Sequence, residues 1–347
     1  MGDSAHLFID SPYWTQAQRE LDAHWSLQKV GWQGTKDWLE WVLLCPRGSK
    51  IGIDSRMISH ERATRLSKGL SDSGSQLVHP RQNLVDLIWK DQPMRPKDAV
   101  YVQPEVYTGK GAREKLSDIR GWIRRKNEMV VKHVQSPNST PVLGQGPIEK
   151  ITALFISNPS EVAYALNLRG SDVPYSPVFI AYLLVALDKI VLFLDLDKIS
   201  AEVKKYLYEC GVSLRTYADT WSYLRNKAWG EGKIIINPNT PYAVSLIIGS
   251  ARYVVLPNFV EEQKAIKNET EIQGFRSACL KDSTAMCRWF AWLDQKIRDG
   301  FEVTEWEASE KLNDFRREMP LYVGLADESV SATGPNAGEL IALRFRG

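Results

Sequence analysis

Histidine is scarce in this sequence and absent from most of it. The 347 residues contain five histidines, of which the last is at position 133: His6, His24, His60, His79 and His133. No two of them have the i,i+4 spacing with which a helix presents a pair of metal ligands. We therefore expect all five to have surface or packing roles. The sequence after His133 excludes a catalytic dyad built on histidine.

Cysteine is also rare, and neither long apolar runs nor a charge excess of one sign occurs. The four cysteines (Cys45, Cys210, Cys279 and Cys287) have neither disulfide-framework nor zinc spacing, which indicates reduced thiols in a cytoplasmic protein. No stretch approaches the roughly 18 apolar residues of a membrane span. The formal net charge is only +2. We therefore expect neither a membrane nor a nucleic-acid partner, and we interpret the basic run from Lys110 to Lys132 as a solvated helix face.

Strand patterns that alternate with helix patterns are what the sequence does contain. Between Val100 and Pro257 short apolar runs alternate with amphipathic segments, which predicts an α/β fold with a mixed or parallel sheet. Two prolines in the segment 92–98 mark a linker. This places one domain over residues 1–91 and a second over 100–257. Residues 136–147, with three prolines and two glycines, interrupt the alternation and indicate a loop or an insertion.

Local patterns predict particular elements on either side of this middle region. The spacing of apolar residues predicts a helix over 12–30, and a long amphipathic helix over 266–297 that is broken near its start. Thr304 with Glu307 three residues later forms a capping box for another helix. Ser329 begins a predicted strand. Two helices and one strand do not enclose a core, so we expect the part from 258 to 347 to be an incomplete domain.

One segment, Asn167-Leu-Arg-Gly-Ser-Asp, has a candidate function. Gly170 is predicted to cap the preceding helix, which leaves Arg169 and Asp172 on a following loop. Two readings stay open: a local cap with an ion pair, or a guanidinium offered to a substrate cleft or a dimer interface. We expect both charged residues to lie on an exposed loop, because burial of unpaired charges is costly. Elsewhere the sequence has neither G-x-S-x-G nor a complete phosphate loop.

This segment resembles a family. NLRGSDVPYSPVF at 167–179 resembles the middle domain of the Xaa-Pro aminopeptidase P family. The end of that family's creatinase-like first domain is similar to the segment AHLFIDSPYWTQAQRELDAHW. The passage into its second domain is similar to two segments of this sequence, NLVDLIWKDQPMRP and YTGKGAREKLSDIR. Two later segments resemble the start of the family's pita-bread catalytic domain: VLPNFVEEQKAIKNETEIQGFRSACLKDSTAMCRWFAWL and SVSATGPNA.

The resemblance implies creatinase-like α/β domains, the first partial over 1–91 and the second complete over 100–257. The opening helices and first strand of a pita-bread peptidase domain follow over 258–347. It also implies a homodimeric, cytoplasmic peptidase with two manganese ions, whose bridging hydroxide attacks the bond before a penultimate proline in a peptide substrate.

The same resemblance sets a limit on activity. The family's metal ligands (Asp, Asp, His, Glu and Glu) belong to motifs C-terminal to the GPN segment, and this sequence contains none of those motifs. We therefore expect a chain truncated at both ends that lacks the metal-binding half, binds no manganese and is inactive. No catalytic or metal-binding residue can be named. The alternative is a non-catalytic pseudo-peptidase or protein-interaction module.

Overall fold

The computed structural model describes residues 4–134 and 150–338. The strands are β1 (Ala5–Ile9), β2 (Trp25–Lys29), β3 (Lys50–Gly52), β4 (Gln76–Val78), β5 (Tyr101–Val102), β6 (Ile151–Ile156), β7 (Leu168–Arg169), β8 (Ala181–Ala186), β9 (Ile190–Leu194), β10 (Val212–Thr216), β11 (Lys233–Ile236) and β12 (Tyr253–Val255). The helices are α1 (Trp14–Glu20), α2 (Trp38–Val42), α3 (His60–Ser71), α4 (Leu84–Ile88), α5 (Glu105–Thr108), α6 (Ala112–Val134), α7 (Pro159–Leu166), α8 (Ala201–Glu209), α9 (Asp219–Arg225), α10 (Tyr242–Ile248), α11 (Phe259–Ala265), α12 (Glu269–Arg298) and α13 (Glu305–Arg317). No helix in the described ranges is long and apolar enough to cross a membrane.

The described residues pack into two compact units. One takes its residues from Met1–Ser49, Gly69–Gln76 and Gly274–Gly347, and the other from Lys50–Lys68 and Leu77–Gln273. The second unit contains a six-stranded sheet of order β10-β9-β8-β6-β11-β12. Its central pairs β6–β8 and β8–β9 are antiparallel, and its outer pairs β9–β10, β6–β11 and β11–β12 are parallel. The predicted α/β fold with a mixed sheet is therefore confirmed.

The central strands of this sheet are apolar because both of their faces are covered. Every residue of β8 and β9 is buried. In β8 the side chains alternate between two cores, as the two-residue period of a strand requires. Leu183 and Val185 join one core with residues of α6, α7 and α8, whereas Leu184 and Ala186 join the other with residues of α9 and α10.

The first unit differs from prediction in the segment 12–30. The structure has α1 followed by β2, not one helix, and β2 pairs in parallel with β1 over five residues from Ala5↔Trp25 to Ile9↔Lys29. The apolar residues that fit a helical period also fit the alternation of a half-buried strand. Pairing with β1 decides between the two, and α1 is the crossover that a parallel pair needs.

The helices near the end of the described chain follow the local sequence signals. The long helix α12 is preceded by the short α11, and Thr304 and Glu307 form the predicted capping box of α13. The predicted strand at Ser329 is not formed in the described residues. Ser329 instead bonds to α13, since its carbonyl accepts from Ser309 Oγ at 2.8 Å and its hydroxyl oxygen lies 2.7 Å from Arg316 Nη1.

The structure does not test two of the sequence predictions about the organisation of the chain. The predicted insertion at 136–147 lies outside the described residues. The division into domains at 1–91, 100–257 and 258–347 stays a prediction.

Candidate functional site

The segment 167–172 begins with a residue whose backbone is in the left-handed helical conformation. Asn167, not Gly170, ends α7, with φ of 50° at the helix C-cap. Asparagine adopts this conformation more readily than other residues with a side chain. The buried Asn167 amide donates to the Lys110 carbonyl at 2.9 Å and to Thr108 Oγ1 at 3.2 Å. The cap is therefore fixed from both its backbone and its side chain.

Gly170 has a different role from the one that its place in the sequence predicted. A Cβ atom at this position would lie 2.8 Å from Phe179 Cβ and 3.2 Å from the Val178 carbonyl oxygen. The chain therefore needs a glycine here because the segment ending in Phe179 passes directly over it.

Asp172 is not on an exposed loop, so that expectation is wrong. Its carboxylate is fully buried and forms an ion pair with Lys198 Nζ, and it also accepts a hydrogen bond from the Ile180 backbone N–H at 2.7 Å. Two partners satisfy the charge, which makes burial tolerable. Asp172 does not pair with Arg169. The geometry gives Asp172 a structural contact that ties its loop to Lys198.

Arg169 is half-buried at the end of β7. Its Nη1 donates to the carbonyls of Leu168 at 2.9 Å and Ala163 at 3.3 Å. No carboxylate among the described residues forms an ion pair with it, and burial lowers the pKa of its guanidinium. The neighbouring strand β5 places Tyr101, which is exposed, opposite Arg169. An arginine that is not fully buried and whose bonds go only to carbonyls retains the capacity to bind an anionic group.

Lys115 is a buried cation that the sequence interpretation missed. Its Nζ donates to Asn167 Oδ1 at 2.7 Å and to the Tyr164 carbonyl at 3.1 Å, and lies 3.7 Å from the centroid of the Tyr164 ring. Burial lowers its pKa to about 8. The sequence signal for burial was the position of Lys115 on α6. It is three residues after Ala112 and four before Ile119, so it lies on the apolar face of the helix and not on a solvated one.

Glu161 is a buried carboxyl group on α7. It accepts a hydrogen bond from Asn258 Nδ2, and Asn258 is the N-cap residue of α11. Burial, and next the neighbouring charge of Glu261, raise the pKa of Glu161 to about 7. The pair connects α7 to the start of α11 within the second unit.

The described residues do not fit a dinuclear metal centre. Among residues 4–134 and 150–338 no group of three or more His, Cys, Asp or Glu side chains could hold a metal ion. The two carboxylates above are each engaged by a lysine or an asparagine. No catalytic step through a metal can therefore be derived from these side chains.

Comparison with known protein families assigns the fold to a class. The family model described as creatinase/prolidase N-terminal domain matches residues 91–271, which include the six-stranded sheet and the segment 167–172. The chain therefore belongs to the creatinase/prolidase family.

Within that family the similarity is to Xaa-Pro aminopeptidase P, as the sequence resemblance predicted. The chain is 34% identical over 348 residues to a probable Xaa-Pro aminopeptidase P of Sordaria macrospora, covering 96% of this chain and 53% of that protein. A protein of the same name from Aspergillus niger is 35% identical over 344 residues, covering 96% and 52%. The chain thus spans about half the length of the curated relatives that it matches.

A solved structure is similar over the same extent. The X-prolyl aminopeptidase of Caenorhabditis elegans, described as a cytosolic enzyme with a di-nuclear active site, aligns with a TM-score of 0.84 and 29% identity. The alignment covers 94% of this chain and 51% of that protein. The fold of this chain is therefore that of one half of the nematode protein.

Proposed function

We propose that this chain is a cytoplasmic Xaa-Pro aminopeptidase homologue that does not hydrolyse peptides by itself. The proposal rests on which side chains are available as metal ligands. A dinuclear site needs several carboxylates and usually a histidine around one cavity, and the described residues offer no such group. The relatives are about twice as long as the match, which leaves half of each without a counterpart in this chain.

A pair of metal ions such as manganese would supply an activated hydroxide for hydrolysis, but no group of the described residues would hold them. The side chains of this chain would contribute binding and positioning only. Arg169 is the candidate for contact with a peptide or a partner subunit, because the residue is not fully buried and its guanidinium forms no ion pair with a carboxylate among the described residues. Asp172 would act only by holding the loop next to it through Lys198.

An activity assay tests the first part of this proposal. The purified 347-residue chain is incubated with the peptide Arg-Pro-Pro and added manganese, with the nematode X-prolyl aminopeptidase as the positive control. We expect release of arginine from the control only, and no stoichiometric manganese retained by the chain after gel filtration. Release of arginine by this chain, above the rate without added metal, would overturn the proposal.

The role of Arg169 is tested by peptide binding. We expect Arg169→Gln to weaken binding of Arg-Pro-Pro, measured by calorimetry, by about tenfold, a factor that one charge-assisted hydrogen bond accounts for. Lys204→Gln, on the exposed face of α8, serves as the control and should leave binding unchanged. Equal affinities of the Arg169 variant and the original chain would remove Arg169 as a binding residue.

The second candidate function, a non-catalytic interaction module, is favoured by one observation. Helix α4 and the residue after it expose Leu84, Val85, Leu87, Ile88 and Trp89 on the second unit. Such a concentration of exposed apolar side chains is typical of an interaction surface. Retention of a defined cellular protein by the original chain, lost when Leu87 and Ile88 are changed to serine, would support this alternative.

A further inference from the structure

The chain reverses direction in a tight turn directly after the segment 167–172. The Ser176 backbone N–H donates to the Val173 carbonyl at 3.1 Å, and these two residues form an antiparallel bridge. Between them are Pro174, whose ring fixes a negative φ, and Tyr175, whose φ is 59°. A four-residue turn in which only the third residue has a positive φ is a type II turn.

Tyrosine is an unfavourable residue for the third position of this turn. Glycine or asparagine is usual there, because a larger side chain is strained at positive φ. Tyr175 gains no compensating contact: it is 43% exposed, and its side chain forms no hydrogen bond, ring contact or ion pair with any residue that the structure describes. A strained residue that the fold does not need is typical of a functional position.

The base of the turn is held rigidly. The Asp172 backbone N–H donates to the Val178 carbonyl at 3.0 Å, and the Gly170 N–H donates to the Pro177 carbonyl at 3.3 Å. The buried carboxylate of Asp172 is paired with Lys198. The turn is therefore held in one conformation before any ligand arrives, which lowers the entropy cost of binding.

The exposed surface of the turn is apolar and uncharged. Val173 is 42% exposed, and Pro174 and Pro177 are exposed as well. Asp172 is the only charged residue between positions 171 and 178, and it is buried. An exposed tyrosine ring in such surroundings suits a proline ring, as on the aromatic-lined surfaces that recognise proline-rich peptides.

From this geometry we propose that Tyr175 is a specificity-determining residue that contacts a proline ring of a bound peptide. The inference rests on the proposed function, in which the chain keeps the capacity to bind peptides. Arg169 precedes Gly170 at the base of the turn. Tyr175 is two residues from Pro177, the partner of Gly170, so a peptide of three or four residues is long enough to reach both side chains.

Two peptides of equal charge test the inference. Arg-Pro-Pro and Arg-Ala-Ala differ only in their prolines, and we expect the original chain to bind the first about tenfold more tightly in calorimetry. Tyr175→Asn, which suits the left-handed backbone, should bind both peptides alike, whereas Tyr175→Phe should keep the preference. The control is Tyr208→Asn, which changes an exposed tyrosine of α8 and should also keep the preference.

Thermal unfolding separates this role from a structural one. We expect Tyr175→Asn to unfold at the same temperature as the original chain or at a higher one, because asparagine is less strained at positive φ. A lower temperature would show that the tyrosine holds the turn together, and would overturn the inference. Three results in the binding experiment would also overturn it: no binding by the original chain, equal binding of both peptides, or a preference that Tyr175→Asn retains.

A further variant distinguishes this inference from the role proposed for Arg169. Arg169→Gln should weaken the binding of both peptides by the same factor and leave the preference for proline unchanged. A failure of the Arg169 proposal therefore appears in the affinities, and a failure of the present one appears in their ratio. Neither measurement depends on hydrolysis.

Discussion

At the scale of single residues, the buried charges of the second unit show three ways of making burial tolerable. Asp172 is paired with Lys198, Lys115 bonds to neutral oxygens and has a lowered pKa, and Glu161 bonds to an amide and has a raised pKa. Each arrangement offsets the free-energy cost of desolvation in a different way. They therefore predict different responses to substitution and pH.

Glu161 should make the protein less stable as the pH rises. Its ordinary pKa is 4.5 and its folded pKa is about 7. The folded state thus keeps the proton that the unfolded state loses, and stability falls between pH 4.5 and 7 by up to about 3 kcal/mol. We expect Glu161→Gln to remove this part of the pH dependence in urea unfolding at pH 5 and pH 8. Glu202→Gln, on an exposed position of α8, is the control, and an unchanged pH dependence in the Glu161 variant would contradict the prediction.

The Asp172–Lys198 pair should show strong coupling. Lys198→Met leaves a buried carboxylate without its cation and should lower the free energy of unfolding by about 3–5 kcal/mol. Asp172→Asn with Lys198→Met keeps an acceptor for the Ile180 N–H and should be more stable than Lys198→Met alone. The exposed pair Arg298–Asp294 is the matched control, since Arg298→Met should cost less than about 1 kcal/mol. Additive effects in urea unfolding would show that the buried pair is not coupled.

At the scale of elements, the capping box of α13 depends only on contacts within the first turn of that helix. Substitutions in the capping box should therefore have small effects on the stability of the protein. Thr304 Oγ1 accepts from the Glu307 backbone N–H at 3.2 Å, and Glu307 Oε2 accepts from the Thr304 backbone N–H at 2.9 Å. We expect Thr304→Ala to lower stability by about 1 kcal/mol and Thr304→Ser to have little effect. Thermal unfolding of the two variants measures the difference. Equal losses for alanine and serine would show that the hydroxyl bond does not contribute.

The same locality explains which parts of the fold the sequence could predict. The Thr304 capping box and the long helix α12 depend on spacing within a few residues, and these predictions are confirmed. The strand β2 was missed because its partner β1 lies twenty residues earlier, and pairing overrides the helical period. The role of Gly170 depends on Phe179 and the burial of Asp172 depends on Lys198, and neither contact is visible in the spacing of one segment.

At the scale of the whole molecule, the second unit extends past the predicted boundary at 257. Phe259 stacks on Trp122 with ring centroids 5.3 Å apart, Val260 is fully buried, and Asn258 bonds to Glu161. All three contacts attach α11 to the helices that cover the sheet. They favour a folding unit that includes α11, as does the family match to residue 271.

A pair of fragments tests this extension. We expect residues 91–271 produced alone to unfold cooperatively in urea, and residues 100–257 to be less stable by several kcal/mol or to aggregate, because Trp122 and Glu161 then lose their partners. Equal stability of the two fragments would mean that α11 is peripheral. In that case the boundary at 257 would be the better description.

The position of β6 in the middle of its sheet has a consequence for synthesis on the ribosome. Its neighbour β8 follows within thirty residues, but its other neighbour β11 emerges only after roughly eighty, which takes about 4–16 s at ordinary translation rates. Until β11 is made, the strands of this sheet that precede it in the chain, β6, β8, β9 and β10, leave one edge of β6 without its hydrogen-bonding partner. Chaperones that bind such edges would meet this protein during translation, before its fold can close.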